Sequence, residues 1–297
     1  MISKFLKRAL AFVGFAAVSV ATPQIAEAAA KPALWEVSDP DTTIYLFGTI
    51  HLLPENYSWQ TRAIDRAIAR SDTLYVETLI DTKNPQALAA ELARLGFSPG
   101  LPPITNRIHP QKRPLLEAAI TKSGIPRHVY DSMETWAAAF TLLGVQFKEL
   151  GLHGQHGVEQ ILREAFAGAG KPVGQLETNA EQLGFFDTLP QSAQRALLEG
   201  AVESPQQMSN EFSEMLRSWA SGDVDAIAET FNRGLAASPE LREALLRRRN
   251  ASWSQWIERR LAAPGTVFVA VGAGHLAGND SVQAFLQSRG LRIRRVQ

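Results

Sequence analysis

Thr266-Val267-Phe268-Val269-Ala270-Val271 is an unbroken apolar run that stops at a Gly-x-x-His turn, Gly272-Ala273-Gly274-His275. Its length is that of a strand, and its β-branched and aromatic content suits a strand buried on both faces. A second strand-like run, Thr43-Ile44-Tyr45-Leu46-Phe47, ends the same way, at Gly48-Thr49-Ile50-His51. Strands buried on both faces belong to sheets covered by helices, so these two runs point to an α/β fold.

The rest of the chain fits that frame. Ala33–Val37 precedes the second run across the turn formers Ser38-Asp39-Pro40-Asp41, which predicts a β-hairpin. Ile64, Ala67 and Ile68 share one face of a helix expected from about Trp59 to Arg70, and Leu74-Tyr75-Val76-Glu77 then forms a third strand. Strand, helix, strand in that order suggests a parallel pair. From about residue 84 to 169 the periodicity is helical, with Leu88, Leu92 and Leu95 on one stripe and Trp136, Phe140, Leu143 and Phe147 on another. Lys171–Glu177 returns to the sheet. Helices fill about 180–261, and a helix through Phe285 and a last strand, Leu291–Val296, follow the long apolar run. The expected architecture is a central mixed β-sheet flanked by helices, one domain over residues 31–297, with residues 84–169 as a helical cap or insertion within it.

The chain opens with Lys4, Lys7 and Arg8, an apolar stretch from Ala9 to Val20, and small residues in Ala26-Glu27-Ala28-Ala29-Ala30. That order is a secretory signal peptide, residues 1–30. The apolar stretch is too short to span a bilayer, so cleavage and release are expected, without stable membrane insertion. The mature protein is then periplasmic or secreted from a bacterium. There is no cysteine, which excludes disulfides, thiolate metal sites and cysteine nucleophiles. Thirty basic against thirty acidic residues gives no electrostatic reason to expect nucleic acid as a partner.

Ligands of open α/β sheets bind at the carboxyl ends of the strands. His51, Glu77 and His275 each follow a strand, and a glycine beside each histidine permits a sharp turn there. Taken singly, each has an ordinary structural reading. Taken together, two imidazoles and a carboxylate are a ligand set for Zn²⁺, Mn²⁺ or Co²⁺, able to lower the pKa of a bound water. His153 and His156, in a glycine-rich segment, invite a metal assignment by spacing alone, but three glycines make a flexible surface loop the better reading. No His-Glu-x-x-His motif, phosphate-binding loop or Gly-x-Ser-x-Gly elbow is present. Gly272-Ala273-Gly274 lacks the third glycine of a dinucleotide loop.

Tyr45–His51, the Glu77 strand, Leu176-Glu177-Thr178 with Gln182, Arg249-Asn250 with Trp253, and Val271–Gly278 occur in this order. In that order they resemble the TraB/GumN family, which includes the Tiki proteins, with more distant kinship to erythromycin-esterase-like and ChaN-like folds. The resemblance covers nearly the whole mature chain. It implies a metal-dependent protease favouring Mn²⁺ or Co²⁺, with His51, Glu77 and His275 at the ion and Glu77, Glu177, Arg249 and Asn250 as catalytic candidates. Glu159 and Glu177 also match family positions, as ligand, general base or orienter of a histidine. Arg249, planar and permanently charged, suits a substrate carboxylate or a developing oxyanion. The function expected is an exported metal-dependent hydrolase acting on a peptide or small-molecule substrate. The alternatives are a non-catalytic peptide-binding module and a metal-independent esterase.

Overall fold

The computed structural model describes residues 30–79, 85–235 and 238–297. The expected signal peptide falls outside the described residues, apart from Ala30, and so does residue 84, where the helical segment was expected to begin.

Six strands form one mixed sheet: β1 (Leu34–Ser38), β2 (Thr42–Thr49), β3 (Thr73–Val76), β4 (Val173–Gln175), β5 (Gly265–Gly272) and β6 (Ile293–Arg295). Their order across the sheet is β4-β3-β5-β2-β1-β6. β1 and β2 make the expected hairpin, with Leu34 opposite Phe47, and the Asp39 carboxylate closes its turn by accepting the Thr42 amide at 2.8 Å. β6 pairs antiparallel with the outer edge of β1. The other four strands, β2, β5, β3 and β4, run parallel.

One expectation needs correction. β2 and β3 are parallel, but they are not neighbours, because β5 lies between them. Composition explains the placement. β5 is the most continuously apolar strand, and a central position gives it partners on both edges and cover on both faces.

Helix α1 (Arg62–Arg70) joins β2 to β3. Between β3 and β4 lie α2 (Pro85–Gly96), α3 (Arg113–Ser123), α4 (Arg127–Ser132), α5 (Thr135–Glu149) and α6 (Val158–Gly168). Between β4 and β5 lie α7 (Asn179–Asp187), α8 (Gln191–Gly200), α9 (Pro205–Ala220), α10 (Val224–Leu235), α11 (Pro239–Arg242) and α12 (Arg248–Leu261), and α13 (Val282–Ser288) precedes β6.

Alternation along the strands builds two cores. Tyr45 and Phe47 of β2 and Phe268 and Ala270 of β5 face one side, where Trp59, Ile64, Phe166 and Trp219 cover them. Ile44 and Leu46 with Val267, Val269 and Val271 face the other, under Trp253 and Ile257 of α12 and Leu286 of α13. Phe47 stacks on Trp59 with ring centroids 5.6 Å apart. Each fully buried aromatic or aliphatic side chain here contributes about 1.5–3 kcal/mol. A third cluster, including Leu116, Trp136, Leu143 and Leu197, ties α3, α5 and α8 together away from the sheet. Among the described residues no helix is long and apolar enough to cross a membrane.

Candidate functional site

The four parallel strands end at one edge, and each delivers a polar side chain just beyond its last residue: His51 after β2, Glu77 after β3, Glu177 after β4 and His275 after β5. Arg249 and Asn250 arrive from the first turn of α12. These six residues meet in one cluster, five of them buried and His51 partly exposed.

Arg249 is its centre. Its Nε donates to Glu177 Oε2 at 3.1 Å, Nη2 donates to Glu77 Oε2 and Glu177 Oε1, and Nη1 donates to His275 Nε2 at 3.1 Å and to the Leu245 carbonyl at 3.3 Å. These contacts engage all five guanidinium donors. The charge also lies over the Trp253 ring, 4.7 Å from its centroid, and faces Phe185 at 5.7 Å. Arg249 therefore holds the protein's own carboxylates and has no donor to offer a substrate carboxylate, contrary to one role expected for it. A π-helical turn, Glu243–Arg247, runs directly into α12 and includes Leu245, whose carbonyl takes one of these bonds. Such turns recur at functional sites.

Glu77 is buried with its two oxygens divided: Oε1 accepts the Gly272 amide at 2.7 Å, and Oε2 takes Arg249. Gln182 reaches both acids, donating to Glu177 Oε1 at 3.1 Å and Glu77 Oε2 at 3.3 Å. Burial pushes the Glu177 carboxyl above its ordinary range, Arg249 opposes that, and the neighbouring Glu77 charge adds to the rise.

The state of His275 follows from Asn250. The Asn250 Nδ2 group donates to the carbonyls of Asp280 at 2.6 Å and His275 at 3.3 Å, so its oxygen is the atom facing the imidazole. His275 Nδ1, 2.6 Å from that oxygen, must carry the proton, which leaves Nε2 to accept from Arg249. Burial holds the His275 pKa well below 6.5, and the charges of Arg249 and His51 lower it further. His275 is a neutral acceptor.

His51 behaves in the opposite way. Its Nδ1 sits 2.5 Å from Glu159 Oε1, and Thr49 also donates to that oxygen. Burial alone would lower the His51 pKa, but the Glu159 charge and hydrogen bond outweigh it and raise the value above 6.5. Burial likewise works against the Glu159 carboxylate, yet His51 and Thr49 hold its pKa below 4.5. The side chains of His51 and Glu159 are each 15% exposed, against 3% for Glu77 and Arg249, 6% for Glu177 and 7% for His275. A ligand entering from solvent meets the His51–Glu159 pair first.

The glycines of the two motifs are needed for room rather than for a turn. Neither Gly48 nor Gly272 has positive φ. A Cβ on Gly272 would lie 3.2 Å from Glu77 Oε1, 3.4 Å from His51 Nε2 and 3.6 Å from His275 Cδ2, so the three side chains converge on the space that the missing methyl leaves. A Cβ on Gly48 would come within 3.0 Å of the Ala273 backbone.

The donor types suit a divalent ion, but their arrangement does not. Among the described residues no group of three or more His, Asp or Glu side chains is placed to hold a metal. The cause is Arg249, which occupies Glu77 Oε2 and His275 Nε2 and supplies the positive charge between them.

One further expectation is changed. The segment of His153 and His156 is not a surface loop: it forms a short 3₁₀ turn, His153 is 4% exposed, and Leu53 bridges to His153. Phe185 joins the site without any local pattern that would have marked it, whereas Thr49 and Trp253 lie in the motifs quoted above but were given no role there. Glu159 was marked by resemblance, but nothing in its spacing tied it to His51.

A family model described as TraB/PrgY/gumN matches residues 33–295. The chain belongs to the TraB/PrgY/gumN family. Over 247 residues it is 24% identical to the Escherichia coli (strain K12) protein described as "Uncharacterized protein YbaP", covering 82% of this chain and 87% of that one. A Shigella flexneri protein of the same description matches equally. No solved structure matches the chain. The matched region contains every residue of the cluster.

Proposed function

We propose that this family member is an exported hydrolase that cleaves a peptide or ester carbonyl at the carboxyl edge of the sheet. The observation that carries the reading is the His51–Glu159 pair, an imidazole oriented through Nδ1 by a carboxylate, with Nε2 facing the space beside Gly272. In this reading His51 takes a proton from water through Nε2 as the oxygen attacks the carbonyl carbon, and Glu159 stabilises the imidazolium. The same proton then passes to the leaving amine or alcohol as its bond to carbon breaks. Glu77 Oε1, bordering the same space, orients the water. Arg249 and the Gly272 amide hold Glu77 in place, and the Arg249 charge supplies a fixed local field.

The resemblance favours an ion at His51, Glu77 and His275, and that version requires Arg249 to release Glu77 and His275. One assay separates the readings. Purified protein is tested on a peptide library and on carboxylic esters, with EDTA and with added Mn²⁺, Co²⁺ or Zn²⁺, alongside His51→Ala and Glu159→Gln. The expected result is hydrolysis that survives EDTA and is lost in both variants. Activity that vanishes with EDTA and returns with a metal overturns the metal-independent mechanism. Peptide binding without cleavage under every condition overturns hydrolysis and leaves a peptide-binding module.

A further inference from the structure

The turn that carries His153 and His156 takes no part in the chemistry above, yet it is built with unusual constraint. Leu53 bridges to His153, the Val158 amide donates to the Ile50 carbonyl at 3.0 Å, and a Cβ on Gly157 would collide with the His51 carbonyl. The turn is therefore clamped directly on the segment that carries His51. It also leads without a break into α6, whose first turn presents Glu159.

Within this turn, Nδ1 of His153 and Nδ1 of His156 are both buried and make no hydrogen bond. A buried polar atom left unmatched costs about 1–3 kcal/mol, and this one short turn holds two. The rings stand perpendicular with centroids 5.8 Å apart. Two imidazoles that share one ion through bonds of about 2.0–2.1 Å hold their rings at about this separation. The Gln155 amide lies 3.3 Å from His156 Nε2; with its oxygen on that side it accepts the N–H that an Nδ1-bound imidazole presents.

We infer that His153 and His156 form a binding site for an imidazole-preferring divalent transition ion, of the Zn²⁺, Cu²⁺ or Ni²⁺ class, separate from the Arg249 cluster. Neutral imidazole nitrogen is the donor these ions favour, and the absence of cysteine leaves histidine as the softest strong ligand in the chain. Two protein ligands leave the remaining positions to water. The bound ion ties down the turn between His51 and Glu159 and so fixes the approach of the two residues. The inference stands whether or not the hydrolase reading does.

The test is a calorimetric titration of the full protein with Zn²⁺, repeated with Cu²⁺ while its histidine imidazole NMR signals are followed, on the unmutated chain and on His156→Gln, His153→Gln and His51→Ala. One ion is expected to bind, with affinity falling by more than the about 10–100-fold typical of losing an outer-shell partner when either turn histidine is replaced. Binding to His51→Ala is expected to be unchanged, and substoichiometric Cu²⁺ should broaden the His153 and His156 signals first. No saturable binding overturns the site. So does binding that His156→Gln leaves intact, or binding lost in His51→Ala with broadening at His51 and His275. His153 is buried, and if its variant does not fold, His156→Gln and the broadening pattern in the unmutated protein still decide.

Discussion

The Glu159 carboxylate lies 2.5 Å from Nδ1 of His51, although His51 follows β2 and Glu159 sits in the first turn of α6, with β3 and several helices between them in the chain. Each partner shifts the other toward its charged form, and this sets a pH window. The His51 pKa is raised, so its stabilisation is complete below the unfolded value of 6.5 and is lost as pH climbs through the folded value. The Glu159 pKa is lowered, so its stabilisation is complete above 4.5 and is lost as pH falls through the folded value. The pair contributes most between about pH 4.5 and 6.5. Urea unfolding of the unmutated protein and of Glu159→Gln should differ most inside that window and converge above it. A difference that grows steadily toward pH 9 would refute the pairing.

Removing the central guanidinium leaves two acids in the interior. Arg249→Met is expected to cost about 3–5 kcal/mol, the range for breaking a buried ion pair from one side. Arg249→Lys should recover only part of this, because an ammonium has three donors where five are in use. Chemical denaturation of both variants checks the order. Equal stability of the lysine variant and the unmutated protein would mean that the charge matters and the fork geometry does not.

Asn250 is expected to fix the tautomer of His275. Imidazole ¹⁵N shifts should show the proton on Nδ1, with no titration near pH 6.5, since burial and the Arg249 charge depress the pKa. As pH falls below 6.5 the unfolded chain takes up a proton that folded His275 refuses, so this residue lowers stability on the acid side. Asn250→Asp places a carboxylate at Nδ1 and should bring the His275 titration upward. An Nε2-protonated ring in the unmutated protein would contradict the geometry.

Gly272→Ala tests the space at which the three strand-end residues converge. The added methyl presses on Glu77 Oε1 and His51 Nε2, so a loss of about 1–3 kcal/mol is expected, as in overpacked cores. The loss should come with a shift of the His51 titration, read by NMR. Ala at position 272 with unchanged His51 signals would show that the ring lies elsewhere.

The part of this site visible in the sequence was the part encoded locally. An apolar run ending at Gly272 and His275, or at Gly48 and His51, announces a strand end through its own residues, and four parallel strands bring such ends to one edge. What depended on distant pairing was hidden. Nothing near Thr73–Val76 says that β5 rather than β2 will lie beside it. Nothing around Glu159 says which histidine it will meet. The composition of the Arg249 helix showed a charge and gave no sign that every donor would be spent inside the protein. His153 looked mobile because its neighbours are glycines, yet one of those, Gly157, is there to let the turn press on His51.

The central place of β5 also orders events in time. It is the second-last strand of the chain, yet the parallel sheet has no continuity without it, since β2 and β3 each pair with β5 and not with each other. A chain emerging from its amino end can form the β1–β2 hairpin and pack its helices, but His51 and Glu77 stay unconnected until residues 265–272 have emerged and inserted. Closure of so long a loop is slow. The chain therefore spends most of its synthesis without an assembled site, and acquires one only when almost its whole length is free to fold.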